Sequence, residues 1–368
     1  MKLICDGFEL SEAVNTVLKA TAIRSTNPIL EGIKLKAEND VLTLQATDLE
    51  LSIQKRIVAD VKIEGETVVA GRFFAELIKK LNNEKIEITK NDSENTIKIK
   101  YTDSEGFLQT MPVSEFPDIR IIENAEKIRI KKHDFKELVN KTAFSAAYDD
   151  ARPVLKGILM EVTEGKVNAV ALDGYRMAVC TKAVSSNSNF SFIAPARSLT
   201  EINKIIDDND DELEIYIQKN FMQIAIDETH IITRLIDGDF INYKQVIPNA
   251  TTTVVTVAKR FLEEAIERAS LLARLNKNNL VTLDIKEENI MSVSSTSDLG
   301  NIREKISIST QGKDLVIAFN ARYFSEALKN IADEYININF TTPKDPCTIT
   351  ASENSDYLFL ILPVRIVN

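Results

Sequence analysis

The sequence predicts an α+β fold written three times in tandem, each copy holding two helices plus about eight strands. An amphipathic segment at residues 71–81 returns at 197–206 and at 322–331, each step being 125 residues. Arg72, Arg197 and Arg322 fall in register, as do Glu76, Glu201 and Glu326, and Lys79, Lys204 and Lys329. The apolar positions shift with them: Phe74, Leu199 and Phe324, then Leu81, Ile206 and Ile331. A second marker has the same period of 125: Asp48, Asp173 and Asp298, each just after a strand pattern. One long period that preserves charges and apolar face together is the signature of a repeated unit. The 368 residues then divide into copies at 1–120, 121–248 and 249–368, each large enough for its own core.

Each copy opens with a short strand and a helix. In the first, residues 2–5 precede a helix at 8–18 with Leu10, Val14, Val17 and Leu18 on one face. Pro28 and Gly32 bracket a break, and apolar alternation at 33–36 and 42–46 reads as half-buried strands. The signature helix comes next. Alternating runs at 85–90 and 96–101 around a polar turn form a hairpin, and a connector begins at Phe116-Pro117-Asp118. The second copy repeats this with strands at 127–130, 158–162 and 167–171, a helix at 134–139, and a hairpin at 213–217 and 222–226. The third opens at 253–257, continues into a longer helix from 259 to about 275, and closes on the apolar run 357–364. The polar stretches 185–191 and 207–212 are solvated loops inside a copy.

Composition restricts the chemistry. Three cysteines, Cys5, Cys180 and Cys347, are far apart and odd in number, which argues against disulfides and zinc and suggests a reducing, cytoplasmic setting. The charged residues at the start leave no room for a signal peptide, and no apolar run is long enough to span a membrane. Eleven glycines take no phosphate-cradling spacing, and His133 and His230 have no helix-spaced ligand partners. The aspartate triplet reads as turn geometry rather than a metal or acid–base set. No cofactor, metal or catalytic constellation is expected, so a binding scaffold is favoured over an enzyme.

Charge is unevenly placed. Windows around the six predicted helices carry +7 in all, so the rest of the chain carries −17 to reach the net −10. Basic helices beside acidic sheets and loops make a sided field that attracts a polyanion on one surface.

These features meet in a resemblance. The triplication, the stretch Leu172-Asp173-Gly174-Tyr175-Arg176-Met177-Ala178, the stretch 235–240 and the ending Pro363-Val364-Arg365 resemble, over the whole chain, the bacterial sliding clamp family, the beta subunits of DNA polymerase III. The resemblance implies a non-enzymatic processivity factor: a head-to-tail homodimer, six DNA-clamp-type domains in a closed ring around duplex DNA. DNA contacts would be loose, to phosphates and through water, and independent of sequence, made by Arg24, Arg72, Lys79, Tyr148, Arg152, Arg197 and Lys204. Here the 148–152 loop is acidic and lacks the aromatic pair the family can show at Pro153 and Val154. Polymerase, clamp loader and repair factors would dock short peptides in a pocket lined by Leu155, Leu172, Gly174, Tyr175, Arg176, Met177, Val246, Pro346, Leu360, Leu362, Pro363 and Arg365. Ile241 stands in place of the usual proline, Gln245 in place of a common arginine, and Val367-Asn368 extend the terminus. The ring interface would join Phe107 and Leu108 to Leu271 and Leu272.

Overall fold

A computed structural model describes residues 1–81, 83–122, 125–149, 151–186, 188–275, 278–286, 288–353 and 355–365. Val367, Asn368 and Asp150 of the sequence argument lie outside the described residues. The first copy runs β1 (Lys2–Asp6), α1 (Gly7–Leu18), β2 (Gly32–Glu38), β3 (Val41–Thr47), β4 (Leu51–Val58), β5 (Asp60–Ile63) and β6 (Gly65–Ala70). It continues with α2 (Gly71–Lys79), β7 (Lys85–Asn91), β8 (Thr96–Tyr101) and β9 (Ser104–Met111). The second runs β10 (Glu126–Lys131), α3 (Lys132–Ala143), β11 (Gly157–Thr163), β12 (Lys166–Leu172), β13 (Arg176–Ala183) and β14 (Phe190–Pro195). Then follow α4 (Ala196–Asn203), β15 (Glu212–Gln218), β16 (Phe221–Ile226) and β17 (Thr229–Arg234). The third has β18 (Thr253–Ala258), α5 (Lys259–Ala273), β19 (Leu280–Lys286), β20 (Ile290–Ser297), β21 (Gly300–Ser307), β22 (Ser309–Gly312) and β23 (Leu315–Asn320). It ends with α6 (Ala321–Lys329), β24 (Tyr335–Phe340), β25 (Cys347–Ala351) and β26 (Tyr357–Ile361). The predicted order of strands and helices recurs in all three copies.

The same local contacts recur too. The first helix of each copy offers an unpaired N–H at its start. Gly7 donates to the Glu84 carbonyl, Lys132 to Asp211 and Lys259 to Glu334, at 2.8–2.9 Å, in each case to the turn before the hairpin. Capping differs between copies. The Asp6 carboxylate accepts from Phe8 and Glu9 N–H, and Asn320 accepts from Arg322 N–H, whereas Ala70 and Ala258 give no side-chain cap. In α2, Phe74, Ala75 and Ile78 are buried while Arg72, Phe73, Glu76 and Lys79 face outward.

Two compact units result, Met1–His133 with Glu201–Leu235, and Asp134–Thr200 with Ile236–Asn368. The central copy is thus shared between them: β10 and β15–β17 belong to the first unit, β11–β14 to the second. In the first unit a sheet of 13 strands runs β10-β15-β16-β17-β4-β3-β2-β6-β9-β8-β7-β1-β5, with α1 packed on α2 and on β3 and β4. In the second unit nine strands run β14-β11-β12-β13-β26-β25-β24-β18-β22, four more run β21-β20-β19-β23, and α5 packs on α6 and on β20 and β21.

The joints have one design. The last strand of the second copy, β17, pairs antiparallel with β4, matching Thr233 to Leu51 and Thr229 to Lys55. The last strand of the third, β26, pairs antiparallel with β13, matching Ile361 to Arg176 and Tyr357 to Cys180. Leu51 and Arg176 are 125 residues apart, so both joints hold one register. Phe74 and Phe324 are fully buried. Phe74→Ala and Phe324→Ala are each expected to cost about 3–5 kcal/mol in urea unfolding, against about 0.5 kcal/mol or less for Arg72→Ala on the opposite face.

Candidate functional site

His133 is exposed, His230 is half-buried, and the three cysteines are free and buried. His133 Nδ1 lies 2.8 Å from Asp208 Oδ1 on the surface, and burial, with Arg56 second, holds the His230 pKa below its ordinary value. Burial pushes the Cys5 and Cys180 thiols up to about 12, and Cys347 upward as well, which leaves them unreactive. No group of three or more His, Cys, Asp or Glu among the described residues could hold a metal ion. The aspartate marker is a turn device: Asp48 Oδ1 accepts from Glu50 and Leu51 N–H, and Asp173 Oδ1 from Tyr175 and Arg176 N–H. No helix of the described residues is long and apolar enough to cross a membrane.

The basic residues are exposed but unequally paired. In the first unit Arg24, Arg72 and Lys79 point to solvent with no ion pair among the described residues. Lys204 donates to Glu201 at 2.7 Å, and burial lowers the pKa of Lys19 near this pair. Arg197 is exposed on α4. In the second unit Tyr148, 77% exposed, and Arg152 lie on one loop, where the Asp149 carboxylate accepts from Ala151 N–H. Helices α5 and α6 frame a cleft of about 340 Å³ lined by Arg274, Arg322 and Lys329. Within it Arg322 Nε donates to Glu326 at 2.6 Å, so one of its cations is already neutralised. The in-register arginines therefore share a position and not a state.

The apolar residues of the predicted pocket converge in the second unit. Leu155, Leu172, Met177 and Leu360 belong to one buried cluster with Leu159, Val170, Ile193 and Tyr243, and Val154, Phe240 and Ile247 pack against it. The pairing of Met177 with Leu360 brings the second and third copies together here. Leu362 N–H donates to the Tyr175 carbonyl at 2.9 Å, fixing the chain where Pro363 and Arg365 follow. Gly174 sits at φ +91, a left-handed conformation that lets the turn expose Tyr175, whose ring stacks on Tyr323 at 6.1 Å. Val246 is exposed and Pro346 half-buried.

Arg176 lies beneath this surface, only 3% exposed. Its Nε donates to Asp173 Oδ2 at 3.0 Å, its Nη1 pairs with Glu326, and its guanidinium lies over Tyr323 and Phe144 at 4.8 and 5.5 Å. Burial opposes ionisation of Glu326, but the bonds from Arg322 and Arg176 hold its pKa below the ordinary value. Phe144 and Tyr323 are contributors that sequence reasoning misses. Glu326 was visible only as a member of the in-register glutamate triplet.

A second ionic cluster ties the same joint. Lys182 on β13 bonds Glu137 of α3 and Asp356 before β26, the latter at 2.5 Å, and Lys141 bonds Asp356 at 3.1 Å. Burial opposes the charged form of Glu137 and Asp356, yet the two lysines hold both carboxyls below their ordinary values.

Three protein-family models match the chain: DNA polymerase III beta subunit, N-terminal domain over residues 1–120, central domain over 129–242, and C-terminal domain over 244–365. A protein named beta sliding clamp from Bacillus subtilis is 32% identical over 378 residues, covering 99% of this chain and 100% of that one. The crystal structure of the DNA polymerase sliding clamp from Bacillus subtilis superposes with a TM-score of 0.95 at 30% identity, covering 100% of both chains. The DNA polymerase III beta subunit from Thermotoga maritima superposes with a TM-score of 0.93 at 28% identity, again with 100% of both chains covered.

The carboxyls of the Lys182 cluster add stability above their ordinary values of 4.5 and 3.8, and lose it as pH falls below them toward the depressed folded values. Lys182→Met is therefore expected to destabilise by about 1–3 kcal/mol at pH 7 in urea unfolding, with the deficit shrinking at pH 3. An equal deficit at both pH values would show that the cluster is not ionically coupled.

Proposed function

Because the chain belongs to the DNA polymerase III beta subunit family, the bacterial sliding clamps, we propose that it closes as a homodimer into a ring around double-stranded DNA. It is a sliding clamp, a non-catalytic processivity factor of the polymerase. The ring would slide on DNA in the cytoplasm without reading sequence, because exposed cations reach phosphate rather than base edges. Arg24, Arg72, Lys79, Arg197 and Lys204 on or beside the helices, with Tyr148 and Arg152 on their loop, are assigned to the DNA-facing surface. The divisions 1–120, 121–248 and 249–368 are assigned as the three domains of each chain.

The observation that carries ring closure is the repeated joint. Two of the three copies have their third sheet strand, β4 or β13, covered by the last strand of the next copy. The third copy's equivalent, β21, pairs only with β20 among the described residues. The first copy's last strand, β9, pairs with β8 along Ser104–Gln109 and touches β6 only at Thr110 and Met111. A second copy in head-to-tail orientation satisfies both edges. Shifting the register by 125 residues from Arg176–Cys180 reaches 301–305, and the hairpin partners 229–233 correspond to 104–108. The interface pairing is thus Ser104 with Lys305 of the partner subunit, and Leu108 with Asn301 of the partner subunit. The apolar side chains fit this arrangement. Phe107, 57% exposed, lies on β9, and Leu271, 61% exposed, lies with half-buried Leu272 on α5, the helix packed on β21. Arg268, one turn earlier on α5, binds Glu304 of β21 with two bonds of 2.6 and 2.7 Å.

The groove at the joint of β13 and β26 is assigned as the docking site for polymerase, clamp loader and repair factors. Its apolar floor of Leu155, Leu172, Met177 and Leu360, beside Tyr175, Val246, Pro346, Leu362, Pro363 and Arg365, suits a short extended peptide bearing bulky apolar residues.

Retention on DNA after loading tests the ring. The clamp is expected to remain on a closed circle and to run off once the circle is cut; equal retention on both forms would refute topological linkage. Analytical ultracentrifugation tests the interface: Leu271→Ala with Leu272→Ala should shift the dimer to monomers, and an unchanged dimer would place the interface elsewhere.

A further inference from the structure

The joint between the first and second copies carries a groove of its own, about 600 Å³, in the size range of ligand-binding clefts. It stands at the same structural address as the β13–β26 groove. Ser52 lies 125 residues before Met177 and faces Ile232 as Met177 faces Leu360. Arg234 N–H donates to the Glu50 carbonyl at 2.9 Å, as Leu362 N–H does to Tyr175. Asp48 makes the turn that Asp173 makes.

From this we propose that the groove is a second peptide-docking site, taking an extended apolar segment of a partner protein that carries a carboxylate. The inference rests on the reading of the β13–β26 groove as a peptide site. Its wall residue Leu49 has φ +76, the same left-handed turn position that Gly174 fills at +91. A bulky side chain there is strained, and such strain collects where a side chain is needed for contact. Leu49 is 60% exposed, and with Ile121 and Phe221, also exposed, it lines the groove over Ile232. Ile121 is held on the wall by its neighbour, whose N–H donates to Gln223 Oε1 at 2.7 Å.

Charge selects the occupant. Arg120 and Lys219 stand exposed on the groove, and among its described lining residues Asp118 is the one carboxylate, on a chain of net charge −10. An acidic group on the peptide would meet a local cationic rim. The floor differs from that of the other groove: Thr47 Oγ1 and Ser52 Oγ are 2.8 Å apart where Leu172 and Met177 stand. Small hydroxyl residues there deepen the slot and offer a polar end to an aromatic side chain such as tyrosine, so the two grooves should rank peptides differently.

The test is photo-crosslinking of the full chain with a benzophenone-labelled octapeptide of Leu, Tyr and Asp, with mass-spectrometric mapping and a fluorescence titration. Two bound peptides per chain are expected, with crosslinks near Phe221 and near Val246. Leu49→Gly with Arg120→Glu should remove the first set and weaken that site about tenfold or more. Glycine suits the φ of position 49, so this variant should remain folded, which retention of the second set confirms. Val246→Asp should remove only the second set. Crosslinks confined to the Val246 region, or unchanged in the Leu49→Gly, Arg120→Glu variant, would overturn the second groove and leave the first reading intact. Crosslinks only near Phe221 would instead overturn the β13–β26 assignment, and none at either groove would overturn both.

Discussion

Every strand at the edge of a sheet presents backbone N–H and C=O groups that water, another strand or another molecule must satisfy. In this chain that requirement links the copies. The last strand of each later copy covers an edge that the preceding copy leaves open, β17 on β4 and β26 on β13. The same register at both joints puts residues 125 positions apart at equivalent places. At the first joint a hollow of about 600 Å³ lies where the second copy ends on the first, lined by side chains that the sequence places at fixed register positions.

Ionic groups secure these joints differently from the helix surfaces. At the β13–β26 joint, Arg176 is removed from water and is stable there only because Asp173, Glu326 and two aromatic faces surround it. Lys182 and Lys141 do similar work between α3 and the start of β26. On the outward face of α2, by contrast, cations such as Arg72 and Lys79 stay in solvent, where they contribute little to stability. Glu326 shows the boundary between the two regimes. It is one of three in-register glutamates, yet it alone bonds both a helix neighbour, Arg322, and a buried arginine of another copy.

Much of the fold was legible because its signals are local and repeated. The 125-residue period, the apolar stripe of Phe74 and Ile78, and the alternation in β7, β8, β15 and β16 each follow from helix or strand periodicity. Strands buried on both faces lose that alternation. The run Met177–Cys180 in β13 is mostly buried on either side, so periodicity does not mark it as the strand on which the third copy docks. The division into two compact units was hidden for a related reason: it depends on which edges pair across copies, and pairing joins residues more than a hundred positions apart.

The sequence by itself determined the triplicate α+β plan, the recurrence of Arg72, Arg197 and Arg322 on one helix position, and the absence of a motif for catalysis, since each is a pattern of residue type against spacing. Only the tertiary structure decided what those positions became. Arg72 is unpaired among the described residues while Arg322 is bound to Glu326, a carboxylate that Arg176 of another copy also bonds. Leu49 and Gly174 likewise occupy one left-handed turn position, and the structure alone shows a leucine held there at the edge of a hollow. Spacing sets which residues recur; the neighbours that long-range pairing brings against them set their ion pairing and exposure.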